Sequence, residues 1–527
     1  MRHYFQKAAI LLGVWGALLA LHAPFLRLPY YWDEAGYYIP AVLDFFRHGL
    51  LIPTSTLPSG HTPLVMIYLT LAWRVFGFSP LVTRAAMLLF ASATLLATAS
   101  LADGVFGERP TARAAACSSA ALLALAPLYF AQSSLVFLDL PVALFTTLAL
   151  LALLRERWAT FGAMASCAVL SKETAIVLAP VAFIFLVVDA KRTRRSIPPS
   201  IWLWLTSPCL VLAAWAAYYH HHTGFWTGNA TYLQYNLYST LDPVRILLCF
   251  ARRLHEVFIA GFNWILAGAA LAAAAWTRKA LRQQEPTLVE RKFRLLTGLL
   301  TAAYLLLLSV VGGAVLPRYT LPLYPPLIVL ALSYIWQLPR RAAYACYLTA
   351  AACFMGSWFL NPPYPFPFED NLAYTDFIRL HQQGARFLAS LSRRGELEHG
   401  SSPRILTAWP ATNELETPDL GYVTQALHVV PVEGFAARDF ENVQSGSFDV
   451  LYDYSRKWEP PGNWLTRLPW LERLEARYFD YAPQLPENEL QAHFHLTLLA
   501  RWERRGQWIA IYQAEPLQGP ARVGPPW

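Results

Sequence analysis

Charge is what this chain has least of. Only 14% of its 527 residues are Asp, Glu, Lys or Arg, while 56% are apolar types. An ordinary globular chain carries roughly 25% charged residues. So few charges cannot cover the surface of a soluble protein of this length. A purely soluble enzyme, a disordered chain and a fibre are therefore excluded. Cysteine is scarce too: the six, at 117, 167, 209, 249, 346 and 353, all lie in or beside apolar stretches. None falls in the C-terminal part, so no disulfide framework is implied there. Also missing are a glycine-rich phosphate loop, a metal-spaced Cys/His set, a Ser nucleophile elbow and an internal repeat.

The few charges are unevenly spread. Residues 1–360 hold 27 Lys+Arg and 13 Asp+Glu, and residues 361–527 hold 15 and 21. This division predicts a membrane domain over 1–360 followed by a soluble domain over 361–527. The chain's net charge is +8, and its excess of basic residues sits in the membrane part, where bilayer orientation explains it better than nucleic-acid binding. Residues 1–26 have the start of a signal peptide, but Leu21-His22-Ala23 is a poor cleavage site, and a retained first helix is expected.

Apolar stretches fall near 8–26, 81–102, 113–132, 141–155, 158–171, 174–189, 200–219, 256–276, 294–313, 319–337 and 342–360, with 62–78 ambiguous. The basic clusters are Arg2/Lys7, Arg109/Arg113, Arg155/Arg157, Lys191 to Arg195, Arg278 to Arg294, and Arg340-Arg341. All of them become cytoplasmic if 62–78 lies along the outer surface as an amphipathic segment. That predicts about 11 transmembrane helices, a cytoplasmic N-terminus and an extracytoplasmic C-terminal domain, with surface helices in 27–80. The opposite leaflet then collects Asp33, Glu34, His61, Asp139, Lys172, Glu173 and Arg318. Ionisable groups at membrane depth are costly and are functional candidates.

Each motif has a structural and a functional reading. Tyr30-Tyr31-Trp32-Asp33-Glu34-Ala35-Gly36-Tyr37-Tyr38 reads as an interfacial aromatic belt, or as an acidic base beside a platform for a polar substrate. Ser59-Gly60-His61-Thr62-Pro63 is a helix start or a site. Asp139 before Pro141 suits a helix N-terminus, and a site role does not exclude that. Lys172-Glu173 is an internal charge pair, or Lys172 meets an anionic head group. Arg318, in Pro317-Arg318-Tyr319-Thr320-Leu321-Pro322, snorkels to the interface or grips a phosphate bidentately. Three consecutive side chains at His220–His222 point apart, which disfavours a metal site. Asn229-Ala230-Thr231 is a weak glycosylation triplet.

Taken in order, these motifs resemble the GT-C membrane glycosyltransferases, and most closely glycosyltransferase family 39, the protein O-mannosyltransferase and lipid A aminoarabinose transferase group. The resemblance covers about residues 1–340. It rests on Asp33-Glu34 with Tyr37 after the first span, the Pro-containing surface segment, Asp139-x-Pro141, the Lys172 turn and Arg318-Tyr319 with its prolines. It implies a GT-C-like catalytic domain in a multi-pass protein of the plasma or inner membrane. That domain would transfer a mannose-like sugar, with inversion, from a polyprenyl-phosphate donor to an acceptor hydroxyl or phosphate on a protein, lipid or glycan. By resemblance, Asp33 is the base and Glu34 helps to hold the acceptor. Arg318 and Lys172 bind the donor phosphate, and Asp139, Tyr37, His61 and Tyr319 line the substrate site. Some relatives use a divalent cation, which Asp33 and Asp139 could share; nothing in the spacing requires one. Aminoarabinose-type relatives carry Lys-Pro where this chain has His61-Thr62-Pro63, which argues against lipid A modification. A transporter of a lipid-linked glycan is the alternative, but it should show paired halves.

In the C-terminal part, Asn361 to Pro367 reads as a stiff linker and 374–394 as an amphipathic helix. Strands are expected at Arg404–Trp409, Phe448–Tyr454, His493–Arg501 and Trp508–Tyr512. These elements make a small α/β domain.

Overall fold

The computed structural model describes residues 2–107, 112–194, 196–280, 286–394, 403–444, 446–460 and 468–514. Arg109, Arg195 and Arg282 of the expected cytoplasmic clusters lie outside them. The chain forms two compact units. One comprises Met1–Arg27, Pro40–Pro362 and Glu369–Leu372, and the other comprises Leu28–Ile39, Pro363–Phe368 and Ala373–Trp527.

The first unit is helical. Among the described residues six helices are long and apolar enough to cross a membrane: Phe5–His22, Pro80–Phe106, Glu173–Thr193, Ser200–Thr223, Ala260–Lys279 and Leu288–Val310. The remaining expected spans are helical but shorter or interrupted. Ala112–Leu125 breaks before Pro127 and resumes as Pro127–Gln132, because proline removes a backbone donor and crowds the preceding turn. Asp139–Leu154, at 16 residues, rises about 24 Å, short of a ~30 Å hydrocarbon core. The expected span at 256–276 starts late. Gly261 is left-handed (φ 59°), so one helix ends at Phe258 and the next begins at Asn263.

The ambiguous stretch becomes a helix of 13 residues, Leu64–Phe76, too short to span. It buries Val65, Leu69 and Trp73 and exposes Leu71, Val75 and Phe76. Its exposed face is thus mainly apolar, with Arg74 as its one exposed charge, rather than the polar face expected of an amphipathic surface segment. Within the apolar helices, several hydroxyls bond their own backbone. Ser92, Thr94, Thr98 and Thr147 each donate to the carbonyl four residues earlier, at 2.7–2.8 Å, which lets them sit in hydrocarbon without an unmet donor. Local caps set the helix starts. Ser79 accepts from the amide of Val82 ahead of Pro80, and Asp242 accepts from the amides of Val244 and Arg245 ahead of the helix Pro243–Phe258.

The second unit is built on a five-stranded sheet. Its strands are β1 Arg404–Ala408, β2 His428–Val432, β3 Val450–Tyr454, β4 Leu496–Arg504 and β5 Gln507–Ala514, in the order β2-β1-β3-β5-β4. β1 pairs in parallel with β2 and β3, whereas β5 is antiparallel to β3 and β4. The expected amphipathic helix appears as Tyr374–Arg394 and packs on β5. It approaches closely at Gly384, where a Cβ would lie 2.8 Å from Ile509. β2 was not legible in the sequence: it is an edge strand containing Pro431, which cannot donate to a ladder. The expected strand from His493 begins at Leu496 instead, because the helix Glu487–Phe494 runs up to a left-handed His495. The proline-rich linker is pinned where Phe366 and Trp458 exchange backbone hydrogen bonds of 3.4 and 3.3 Å.

Candidate functional site

The first unit gathers its polar remainder around one phenol ring. Tyr319 sits in a turn of 3₁₀ helix, Pro317–Leu323. The Lys172 ammonium lies 3.9 Å from the ring centroid, and the guanidinium carbons of Arg318 and Arg253 lie at 5.4 and 5.5 Å. All three cations are buried, Arg253 completely. The ring face attracts cations, and the low-dielectric surroundings strengthen that attraction.

Each cation also has a carboxylate. Lys172 Nζ donates to Asp139 Oδ1 at 2.7 Å, and Asp139 Oδ2 is 3.6 Å from Arg318 Nε. Arg318 Nη1 donates to Glu369, while its carbon stands 4.0 Å over the ring of Phe137. Arg253 Nη1 donates to Glu256 Oε2 at 2.6 Å and to the Leu316 carbonyl at 2.7 Å. Buried ions need such pairing. The arrangement decides between several sequence readings. Arg318 is buried rather than snorkelling. Asp139 is the first residue of its helix, after an N-cap at Leu138, and its carboxylate is taken up by cations. Lys172 does not pair with Glu173. Its extended backbone (φ −159°, ψ 133°) ends one helix and turns consecutive side chains apart, so Glu173 meets His61 Nδ1 at 3.0 Å instead.

The Nε and Nη2 groups of Arg253 are buried without a hydrogen-bond partner. A buried guanidinium edge with unmet donors is unstable unless something accepts from it. Sequence reasoning missed Arg253, Glu256 and Glu369. Arg253 lies in a helix rich in charge, Pro243–Phe258, that reads as solvated. Glu369 lies just after a proline-rich linker.

The second unit holds the other candidates. Asp33 opens a π-helical turn, Glu34–Tyr38, and the preceding Trp32 is left-handed (φ 46°). Wide turns and strained residues of this kind re-aim side chains. Asp33, Trp32, Tyr37 and Tyr38 are half-buried, and Glu34 is buried. The Glu34 carboxylate accepts from the amide of Tyr31 at 2.7 Å, so it braces the turn. Trp409, just beyond β1, adds a second indole. It lies 5.4 Å from Trp32 at 83° and 5.3 Å from Tyr37 at 39°. A Cβ on Gly36 would run into its ring. Trp409 too was missed, because its sequence neighbourhood reads simply as the end of a strand. The segment is tied in by Tyr30, whose amide donates to Leu420 O at 3.3 Å and whose carbonyl accepts from the Tyr422 hydroxyl at 2.9 Å.

Among the described residues no group of three or more His, Cys, Asp and Glu side chains could hold a metal ion. Asp139 is already neutralised by two cations, which does not fit a divalent ion there. His220 stacks on Trp226 at 4.2 Å, and Asn229 caps the following helix through the amide of Tyr232.

Comparison with known proteins agrees with this architecture. Residues 60–219 match the dolichyl-phosphate-mannose-protein mannosyltransferase family. ArnT of Cupriavidus metallidurans bound to undecaprenyl phosphate is similar in structure, with a TM-score of 0.52 at 14% identity over 98% of this chain and 99% of that one. Its apo form gives 0.50 at 13% identity over 96% and 97%. No curated protein matches the chain in sequence. The chain has the GT-C fold of membrane glycosyltransferases and is an integral membrane protein.

Proposed function

We propose that this protein transfers a mannose-like sugar from a polyprenyl-phosphate donor to an acceptor hydroxyl or phosphate, with inversion at the anomeric carbon. The observation that carries the reading is the trio Lys172, Arg253 and Arg318 around Tyr319, with the Nε/Nη2 edge of Arg253 unfilled. Such an edge matches two phosphate oxygens. The undecaprenyl phosphate bound by the ArnT neighbour and the mannose donor in the matched family's name support that ligand class.

In the reaction, Asp33 takes the proton of the acceptor hydroxyl as its oxygen attacks the anomeric carbon. The bond from that carbon to the donor phosphate breaks, and polyprenyl phosphate leaves with the electron pair. Fixed cations stabilise the charge growing on the leaving phosphate. The half-buried Trp32, Tyr37 and Trp409 hold the acceptor's apolar face, with His61 and Asp139 shaping the donor side. Residues 1–360 serve as the catalytic membrane domain. The N-terminus is cytoplasmic, and residues 361–527 lie outside the plasma or inner membrane.

The test is transfer of radiolabelled sugar from polyprenyl-phosphate donors by membranes containing the full chain. Wild-type membranes transfer sugar, and Asp33→Asn loses about 10²–10⁴-fold of that rate at unchanged protein level. Full activity in the variant removes Asp33 as base, and no transfer by the wild type from any such donor overturns the reading. A reporter fused after Arg195 that appears outside the cell overturns the orientation.

A further inference from the structure

Glu369 lies in a short strap, Glu369–Leu372, that belongs to the membrane unit although the chain on both sides of it belongs to the other. The strap's backbone is pinned. The Glu369 carbonyl accepts from Gln132 Nε2 at 3.0 Å, Asn371 Nδ2 donates to the Leu360 carbonyl at 3.2 Å, and the Leu372 amide donates to the Trp358 carbonyl at 3.2 Å. From that fixed backbone the Glu369 carboxylate reaches Arg318 Nη1. Both side chains are almost wholly buried.

The three cations around Tyr319 are thus each matched by an internal carboxylate, and these partners are not alike. Asp139 bridges two cations, Lys172 and Arg318. Glu256 sits on the same helix as Arg253, three residues away. Glu369 alone among these three comes from a short 3₁₀ turn, Phe368–Asp370, rather than from an α-helix, and Arg318 keeps Asp139 if Glu369 leaves.

We propose that Glu369 is an exchangeable internal counter-ion. It holds Arg318 while no donor is bound, gives up that guanidinium to the donor phosphate, and returns when polyprenyl phosphate departs. The swap keeps a buried guanidinium paired throughout, which matters because an unpaired buried charge is far costlier than a paired one. It needs a side-chain rotation but no backbone movement. Asp370 does not compete for the role. Burial, with the neighbouring Glu369 charge, holds its carboxyl well above the usual carboxylate range, which disfavours the charged form that a counter-ion needs. The exchange makes Glu369 a positioning residue that sets how tightly donor and product are held.

This rests on the phosphate reading of the site, and the experiment separates the two. Equilibrium binding of radiolabelled undecaprenyl phosphate to the purified full chain in detergent is measured for wild type, Glu369→Gln and Glu369→Asp. Gln removes the competing charge at constant size, and Asp keeps the charge but shortens its reach. Both should bind about tenfold more tightly than wild type, with a larger ligand-induced rise in unfolding temperature. In turnover, both should lower the donor KM and also lower kcat, because product release slows. A merely structural role would not tighten binding. Equal or weaker binding in either variant that unfolds cooperatively overturns the exchange. A wild type that binds no polyprenyl phosphate overturns the phosphate reading itself.

Discussion

The Lys172 ammonium lies 2.7 Å from the Asp139 carboxylate, across 33 residues of sequence, in a part of the molecule where both are buried. The pair ties the start of one helix to the end of another and holds Lys172 over Tyr319. Asp139→Asn leaves a buried ammonium without its counter-charge and should cost about 3–5 kcal/mol. Asp139→Asn with Lys172→Met should recover part of that. Thermal unfolding of the two single variants and the double variant measures the coupling, which is expected to exceed about 1 kcal/mol. Additive losses would show that the pair contributes nothing as a pair.

Arg253 offers a planar edge that Lys cannot reproduce. Arg253→Lys keeps the charge and loses the fork. Affinity for undecaprenyl phosphate should fall about ten- to a hundredfold, with Arg253→Ala at or beyond the lower affinity. If the lysine variant binds as well as wild type, Arg253 acts as a point charge or not at all.

Gly36 has no space for a side chain beneath the Trp409 indole. Gly36→Ala should force the Asp33 turn away from its place at a cost of about 1–3 kcal/mol. Sugar transfer should fall sharply while undecaprenyl phosphate binding, which depends on the other unit, is kept. Loss of both together would mean a general folding defect.

Asp453 is fully buried in β3, and burial raises its carboxyl to about 8. Its folded value is far above the unfolded value of about 3.9. Between those values the folded state holds more protons, so stability falls as pH rises through that window and levels off above about 8. Asp453→Asn removes the penalty and can keep the Oδ1 acceptor that serves the Tyr454 amide and Gln484 Nε2, each at 2.8 Å. The gain in unfolding temperature over wild type should be larger at pH 9 than at pH 5. The same gain at both pH values would mean that Asp453 does not titrate between them.

Some of this was written plainly in one dimension. Bilayer-length apolar stretches, and the polar residues between them that no solvated surface explains, are local properties. Burying an ion is costly wherever it occurs, so Asp139, Lys172 and Arg318 stood out against hydrocarbon before any fold was known. The amphipathic helix over 374–394 and four of the five strands were legible through their periodicity, since one face must meet a core.

Pairing was not legible, because it is a property of distance in space. Lys172 and Glu173 look like partners in sequence and go to different ones in three dimensions, because an extended backbone points neighbours apart. Arg253 resembles any arginine on a charged helix until the fold buries it. Glu369 resembles a linker acid until a pinned strap brings it to Arg318, and Trp409 resembles a strand end until Gly36 packs beneath it. The sequence by itself determined which residues could not be ordinary surface. The tertiary structure decided which opposite charge each one meets, because only folding places carboxylates within hydrogen-bond reach of buried cations.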